Sequence, residues 1–306
     1  MKRALLLLAI AACSPPSDGP KFKEAGAASP HRGGTLRFSA RDQLATLDPT
    51  IAYDEMSYFA LRFLWEPLLD YAPGSAVLIP RLAERWEVSA DATTFTFWLR
   101  DSRFSDGTPV VAGDVKYSLE RALKTPDSPF GQWLVDVDGA ADVVAGKAAD
   151  CAGITTPTDH ELVIKLARPN AGFIYTLAAP FTAPQRRSHV EAAGESIRRE
   201  PLGNGPYALV TWSEGERLSL TRSATYTGTQ PAYPDAIEML EAVPRDTQFM
   251  MLEQGELDTA YRLSAPDLLW VHSQPKWQAV AHTTALLSTY GARFDVTQKP
   301  FDDVRV

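Results

Sequence analysis

Between residues 93 and 123 the spacing of apolar side chains changes from every second residue to every third or fourth, and this change most constrains the fold. The stretch TTFTFWLR at 93–100 puts Phe95, Phe97 and Leu99 on one side of an extended chain, as in a strand with one covered face. Ser105-Asp106-Gly107-Thr108-Pro109 has the chemistry of a turn. Val115, Leu119, Ala122 and Leu123 then share one face of a helix. Similar signals place strands at 35–39, 160–166, 217–222 and 237–242, with YALVTW at 207–212 also strand-like. A turn is expected at Leu47-Asp48-Pro49, and a helix over 58–69 that Pro67 limits. A second helix over 246–254 stops at Gly255, in the place of a left-handed cap. Short helices among many strands mean α/β or α+β.

The 306 residues suggest about two domains, and 45% apolar residues are enough for real cores. The 23 prolines and 19 glycines are spread along the chain, which describes a loop-rich globular protein. A net charge of −8, without a basic stripe interleaved with aromatics, argues against a nucleic-acid partner.

Lys2-Arg3, the apolar run ALLLLA at 4–9 and the small residues before Cys13 read as an export signal, since the run is far too short to span a bilayer. With Cys13 directly after it, residues 1–12 resemble a bacterial lipoprotein signal, in which that thiol is lipidated and becomes the new N-terminus. The alternative is an ordinary secretory peptide cut nearby; both imply export. Residues 13–32, rich in Ser, Pro, Gly and Ala, read as a flexible tether. Lipidation of Cys13 leaves only Cys151, so no internal disulfide is expected and stability must come from packing.

Local motifs for chemistry are absent. The five histidines form no i, i+4 pair, and no HExxH or GxSxG occurs. Asp136, Asp138 and Asp142 suggest a calcium loop, but the glycine and distal glutamate are wrongly placed, and they read as a solvated turn. Gly203-Asn204-Gly205-Pro206 imitates a phosphate loop, but Pro206 and the strand after it supply no helix N-terminus, so a tight turn is expected. Cys151 reads as a packed, inert thiol. No metal or cofactor is expected; an active site assembled from distant segments stays open.

Several stretches fall in one serial order: GGTLRFS at 33–39, LDP at 47–49, WEPLL at 65–69, and PRLAERWEVSADATTFTFWLR at 80–100. FSDGTPVVAGDVKYSLERAL at 104–123, GNGPYALVTWSEGERLSLTRSATY at 203–226, QGELDTAY at 254–261 and KPFDDVRV at 299–306 follow. This series resembles the extracytoplasmic solute-binding proteins, family 5, of ABC importers for peptides, oligopeptides and nickel. The resemblance implies an α/β, periplasmic-binding-protein-like fold (type II, cluster C) of mixed sheets with an inserted smaller α+β lobe. It implies a lobe I made of 33–70 and 183–306, incomplete here, and an inserted lobe II at 71–182. It also implies that FDDVRV opens a helix leading into a further lobe absent from this sequence.

The same resemblance implies a non-enzymatic receptor that closes over a peptide or related small solute and delivers it to the permease subunits. It would act as a monomer, held by lipid at the periplasmic or extracellular face of a membrane. Residue by residue, it places Tyr53, Asp54 and Glu55 beside the ligand backbone. Phe130 matches an aromatic covering the ligand, with Trp133 its near neighbour. Arg262 and Leu263 match a ligand-facing loop, and Tyr290 an aromatic near the cleft. Two other readings are a degenerate or partner-completed binding module and an exported hydrolase. The chain departs from the family where a threonine and an acid usually open the helix after DGTPV. Val111 and Gly113 stand there instead, leaving Asp114 to favour the positive end of the helix.

Overall fold

A computed structural model describes residues 30–278, 280–283 and 291–305. The first third of the chain holds β1 (Thr35–Ser39), α1 (Glu55–Leu64), β2 (Leu69–Tyr71), β3 (Leu78–Pro80), β4 (Ala83–Val88) and β5 (Thr94–Leu99). Then come α2 (Ala112–Lys124), α3 (Ala140–Val144), β6 (Ile154–Thr158), β7 (Glu161–Lys165) and α4 (Arg187–Ala193). Next are β8 (Tyr207–Ser213), β9 (Arg217–Arg222), β10 (Ala236–Leu240) and α5 (Arg245–Gln254), followed by α6 (Ala265–Ser273) and α7 (Pro275–Gln278).

Two four-stranded sheets organise these elements. One has the order β1-β10-β9-β8, with β1 parallel to β10 and the other pairs antiparallel. The other, β4-β5-β7-β6, is antiparallel throughout. The alternation of β5 sets the second sheet's inner face: Phe95 and Phe97 are fully buried and Leu99 nearly so. Each such side chain contributes about 1.5–3 kcal/mol by leaving water. Val115, Leu119, Ala122 and Leu123 of α2 are buried as their spacing predicts. One continuous apolar cluster runs from Phe38, Ile237 and Leu220 of the first sheet to Phe95, Leu162 and Ile164 of the second. Phe249, Val271 and Trp277 form a smaller cluster beside it.

Several boundaries and roles differ from the sequence reading. The helix expected at 58–69 runs over Glu55–Leu64, because Asp54 caps its start and the backbone turns extended at Trp65, ahead of Pro67. The strand expected to reach residue 242 ends at Leu240, and Ala242 takes a left-handed φ of 55°. β4 and β6 lay hidden because both are edge strands, one charged (AERWEV) and one interrupted by Pro157 (ITTPT). Gly203 and Gly205 do not serve a positive-φ turn. A Cβ at Gly203 would lie 1.9 Å from the Leu64 carbonyl oxygen, and one at Gly205 2.5 Å from the Leu64 carbonyl carbon. The glycines let two backbones cross, and Gly205 N–H donates to the Leu64 carbonyl at 2.9 Å.

At the start of α2, Asp114 does more than favour the dipole: its carboxylate accepts from the Val111 N–H at 2.9 Å. That is half of a capping box, and the Val111 side chain has no oxygen for the other half. Residues 299–305 form turns rather than the expected helix start, and the Asp303 carboxylate accepts from the Arg305 N–H at 3.0 Å. Asp136, of the rejected calcium loop, is engaged by Arg168 at 2.7 Å and Asn170 at 3.0 Å. The Cys151 thiol is buried, donates to the Asp138 carbonyl at 3.3 Å, and is pushed above the usual thiol range chiefly by that burial.

Candidate ligand-binding face

The junction between the LDP turn and α1 is fixed from three sides. Arg121 of α2 donates to both oxygens of buried Asp48, at 2.6 and 2.7 Å, and to Thr50 Oγ1 and Gln185 Oε1. The Ser128 hydroxyl donates to the Thr50 carbonyl at 2.8 Å, tying the segment before Phe130 to the same turn. Ser57 Oγ accepts from the N–H groups of Ala45 and Thr46. A carboxylate forked by an arginine is a stiff, directional joint, so the residues that follow Asp48 inherit its position.

Tyr53 emerges from this joint with 68% of its surface exposed. The half-buried Asp54 caps α1, its Oδ1 accepting from the Ser57 N–H at 2.8 Å. Glu55, in the first turn of α1, reaches the loop after β10 and α5. Its Oε1 accepts from the Tyr261 hydroxyl at 3.0 Å and its Oε2 from Arg262 Nη1 at 2.7 Å. Burial, and then the bond to Glu55, raises the Tyr261 hydroxyl above its ordinary value. Arg262 holds a φ of +58°, a region L side chains rarely occupy. The Tyr261 ring stacks on Phe59 with centroids 6.4 Å apart, and Phe59 meets Phe38 and Phe63 edge-on. Behind this bridge lies a cavity of about 210 Å³ with an apolar floor that includes Phe38, Phe59 and Phe63.

Phe130 departs from the role the sequence suggested. It is 2% exposed, stacked on Phe181 at 4.7 Å and met edge-on by Trp133 at 5.2 Å. Its volume is spent in the core, and the aromatic surface at this spot belongs to Trp133, 36% exposed, and to Tyr53, whose ring lies 6.2 Å from Phe130. Leu263 likewise packs against the cluster of Phe249, Val271 and Trp277 instead of facing outward. Tyr290 and Cys13 lie outside the described residues. Sequence reasoning missed Phe181, Phe59 and Tyr261. Tyr261 ends the LDTAY stretch and Phe59 lies one helical turn after Glu55, so both were findable in principle.

The sheet β4-β5-β7-β6 is formed by chain inserted between β1 and β8 of the other sheet, and a loop–helix junction carries Glu55 to the edge of a cavity. A sequence profile of the bacterial extracellular solute-binding proteins, family 5 (middle region), matches residues 77–306, and the chain belongs to that family. The dipeptide-binding protein DppE of Bacillus subtilis (strain 168) is 27% identical over 282 residues, covering 89% of this chain and 50% of that protein. The periplasmic oligopeptide-binding protein OppA of Escherichia coli (strain K12) is 31% identical over 234 residues, covering 74% of this chain and 43% of that protein. The crystal structure of Haemophilus influenzae OppA shares the fold, with a TM-score of 0.78 at 21% identity over 90% of this chain and 55% of that one. The chain spans about half the length of the curated relatives it matches. The expected periplasmic-binding-protein-like α/β fold is therefore the fold of this chain.

Proposed function

We propose that the chain belongs to the substrate-binding component of an ABC importer. It captures a peptide or related small solute outside the cytoplasmic membrane and hands it to the permease. One observation carries this reading: the joint locked by Arg121 and Asp48 leads into exposed Tyr53 and, two residues on, Glu55, which lines an apolar-floored cavity. A stiff junction with an exposed ring, a polar bridge and a hollow is suited to holding a small molecule, because little order is lost when the ligand arrives.

Nothing is cleaved in this mechanism. Binding energy shifts an open–closed equilibrium, and main-chain hydrogen bonds to an added strand supply affinity independent of side chains. Residues 33–70 with 183–306 form one lobe and 71–182 an inserted one. Tyr53, Glu55, Trp133, Arg262 and Tyr290 face the ligand. Cys13 carries the lipid, the receptor works as a monomer, and residues 13–32 are its tether.

The test is mass spectrometry of small molecules that co-purify with the product of the complete gene. A retained peptide, recovered intact and lost on Arg262→Ala or Trp133→Ala, is the expected result. Turnover of the retained molecule, or retention indifferent to both changes, overturns the assignment. For the anchor, Cys13→Ala is expected to release the protein from membranes, and unchanged retention would refute it.

A further inference from the structure

The cavity behind the Glu55–Arg262 bridge has a charge pattern of its own. Arg41, Asp42 and Arg245 line it together with Glu55 and Arg262. Glu55 and Arg262 engage each other at 2.7 Å, which leaves two guanidinium groups against the single carboxylate of Asp42. Neither Arg41 nor Arg245 has a side-chain hydrogen bond or ion pair among the described residues. Ser39, 2% exposed at the end of β1, also lines the cavity.

Arg41 and Arg245 are thus donors without a bonded acceptor among the described residues, around an apolar floor and in excess over Asp42. An arginine presents several N–H groups in a plane that matches a carboxylate, and low-dielectric walls concentrate its field. We infer that this cavity receives an acidic side chain of the captured solute, with Arg41 and Arg245 as the residues that select for it. The inference rests on the receptor reading above and adds to it the charge class of the cargo.

Calorimetric titration of the product of the complete gene tests it with three tripeptides that carry glutamate, glutamine or lysine between two alanines. The glutamate peptide is expected to bind about tenfold or more tighter than the glutamine peptide, the size of one charge-assisted hydrogen bond, with the lysine peptide weakest. In the R41A/R245A double variant the glutamate-to-glutamine ratio should fall toward one, while R41K/R245K keeps its direction. Equal affinities in the natural protein, or a ratio untouched in the double alanine variant, overturn the charge assignment alone. Failure of all three peptides to bind overturns the receptor reading, and this inference with it.

Discussion

Arg121 and Asp48 meet through two parallel hydrogen bonds, Nη1 to Oδ1 at 2.6 Å and Nη2 to Oδ2 at 2.7 Å, with 15% and 3% of their side chains exposed. They join α2, which packs on the second sheet, to the turn that leads into α1 beside the first. Removing one partner strands the other charge in a buried place. Arg121→Ala should therefore cost about 3–5 kcal/mol, read from the denaturant midpoint, and Arg121→Lys should recover only part of it because an ammonium cannot fork. A loss below about 1 kcal/mol would show that the joint is not structural.

Phe130 and Tyr53 lie close together but should respond in opposite ways. Truncating the buried ring, Phe130→Ala, is expected to lower stability by about 3–5 kcal/mol, since it leaves a cavity beside Phe181. Tyr53→Ala, at an exposed position, should stay within about 0.5 kcal/mol of the natural protein. Equal effects in thermal or chemical unfolding would contradict the division of roles.

Three backbone positions make a graded test. Gly203→Ala drives a Cβ into the Leu64 carbonyl and should cost about 3 kcal/mol or prevent folding. Gly113→Ala, inside α2 where the nearest non-helical atom is 3.8 Å away, should add about 0.5–1 kcal/mol by removing backbone freedom. Val111→Thr supplies the missing cap oxygen at an extended N-cap and should add about 1 kcal/mol. A stabilising Gly203→Ala, or a destabilising pair at 111 and 113, would mean that the local geometry is misjudged.

Buried Glu66 gives a pH dependence. Its Oε1 accepts from the Tyr226 hydroxyl at 2.9 Å and its Oε2 has no partner among the described residues. Burial, the largest cause, raises its carboxyl above the usual range despite that bond and the pull of Arg100 and Arg81. The folded state thus favours the protonated form. The contribution to stability is complete below the unfolded carboxyl value and fades as pH rises through the folded one. Relative to Glu66→Gln, the natural protein should lose stability as pH rises from about 4, the unfolded carboxyl value. Parallel pH profiles for the two proteins would count against a buried, shifted carboxyl.

Local periodicity made β1, β5, β7 and β9 legible, together with the buried stripe of α2 and the end of α5 at Gly255, because strand and helix periods are written in neighbouring residues. The serial order of short motifs made the family legible as well. The left-handed φ of 74° at Gly255 follows directly from a residue without a Cβ at a helix end.

Only the tertiary structure decided which candidate side chains face outward. The sequence equates Phe130 with Tyr53 as aromatics on loops, yet the burial of one ring under Phe181 depends on a segment about 50 residues away. Asp54 and Glu55 are neighbouring acids, but the first caps its own helix and the second meets a loop 207 residues later. Gly203 reads as a turn until the Leu64 carbonyl arrives against it. Contacts between distant segments are set by how sheets and helices pack, and no local pattern encodes them.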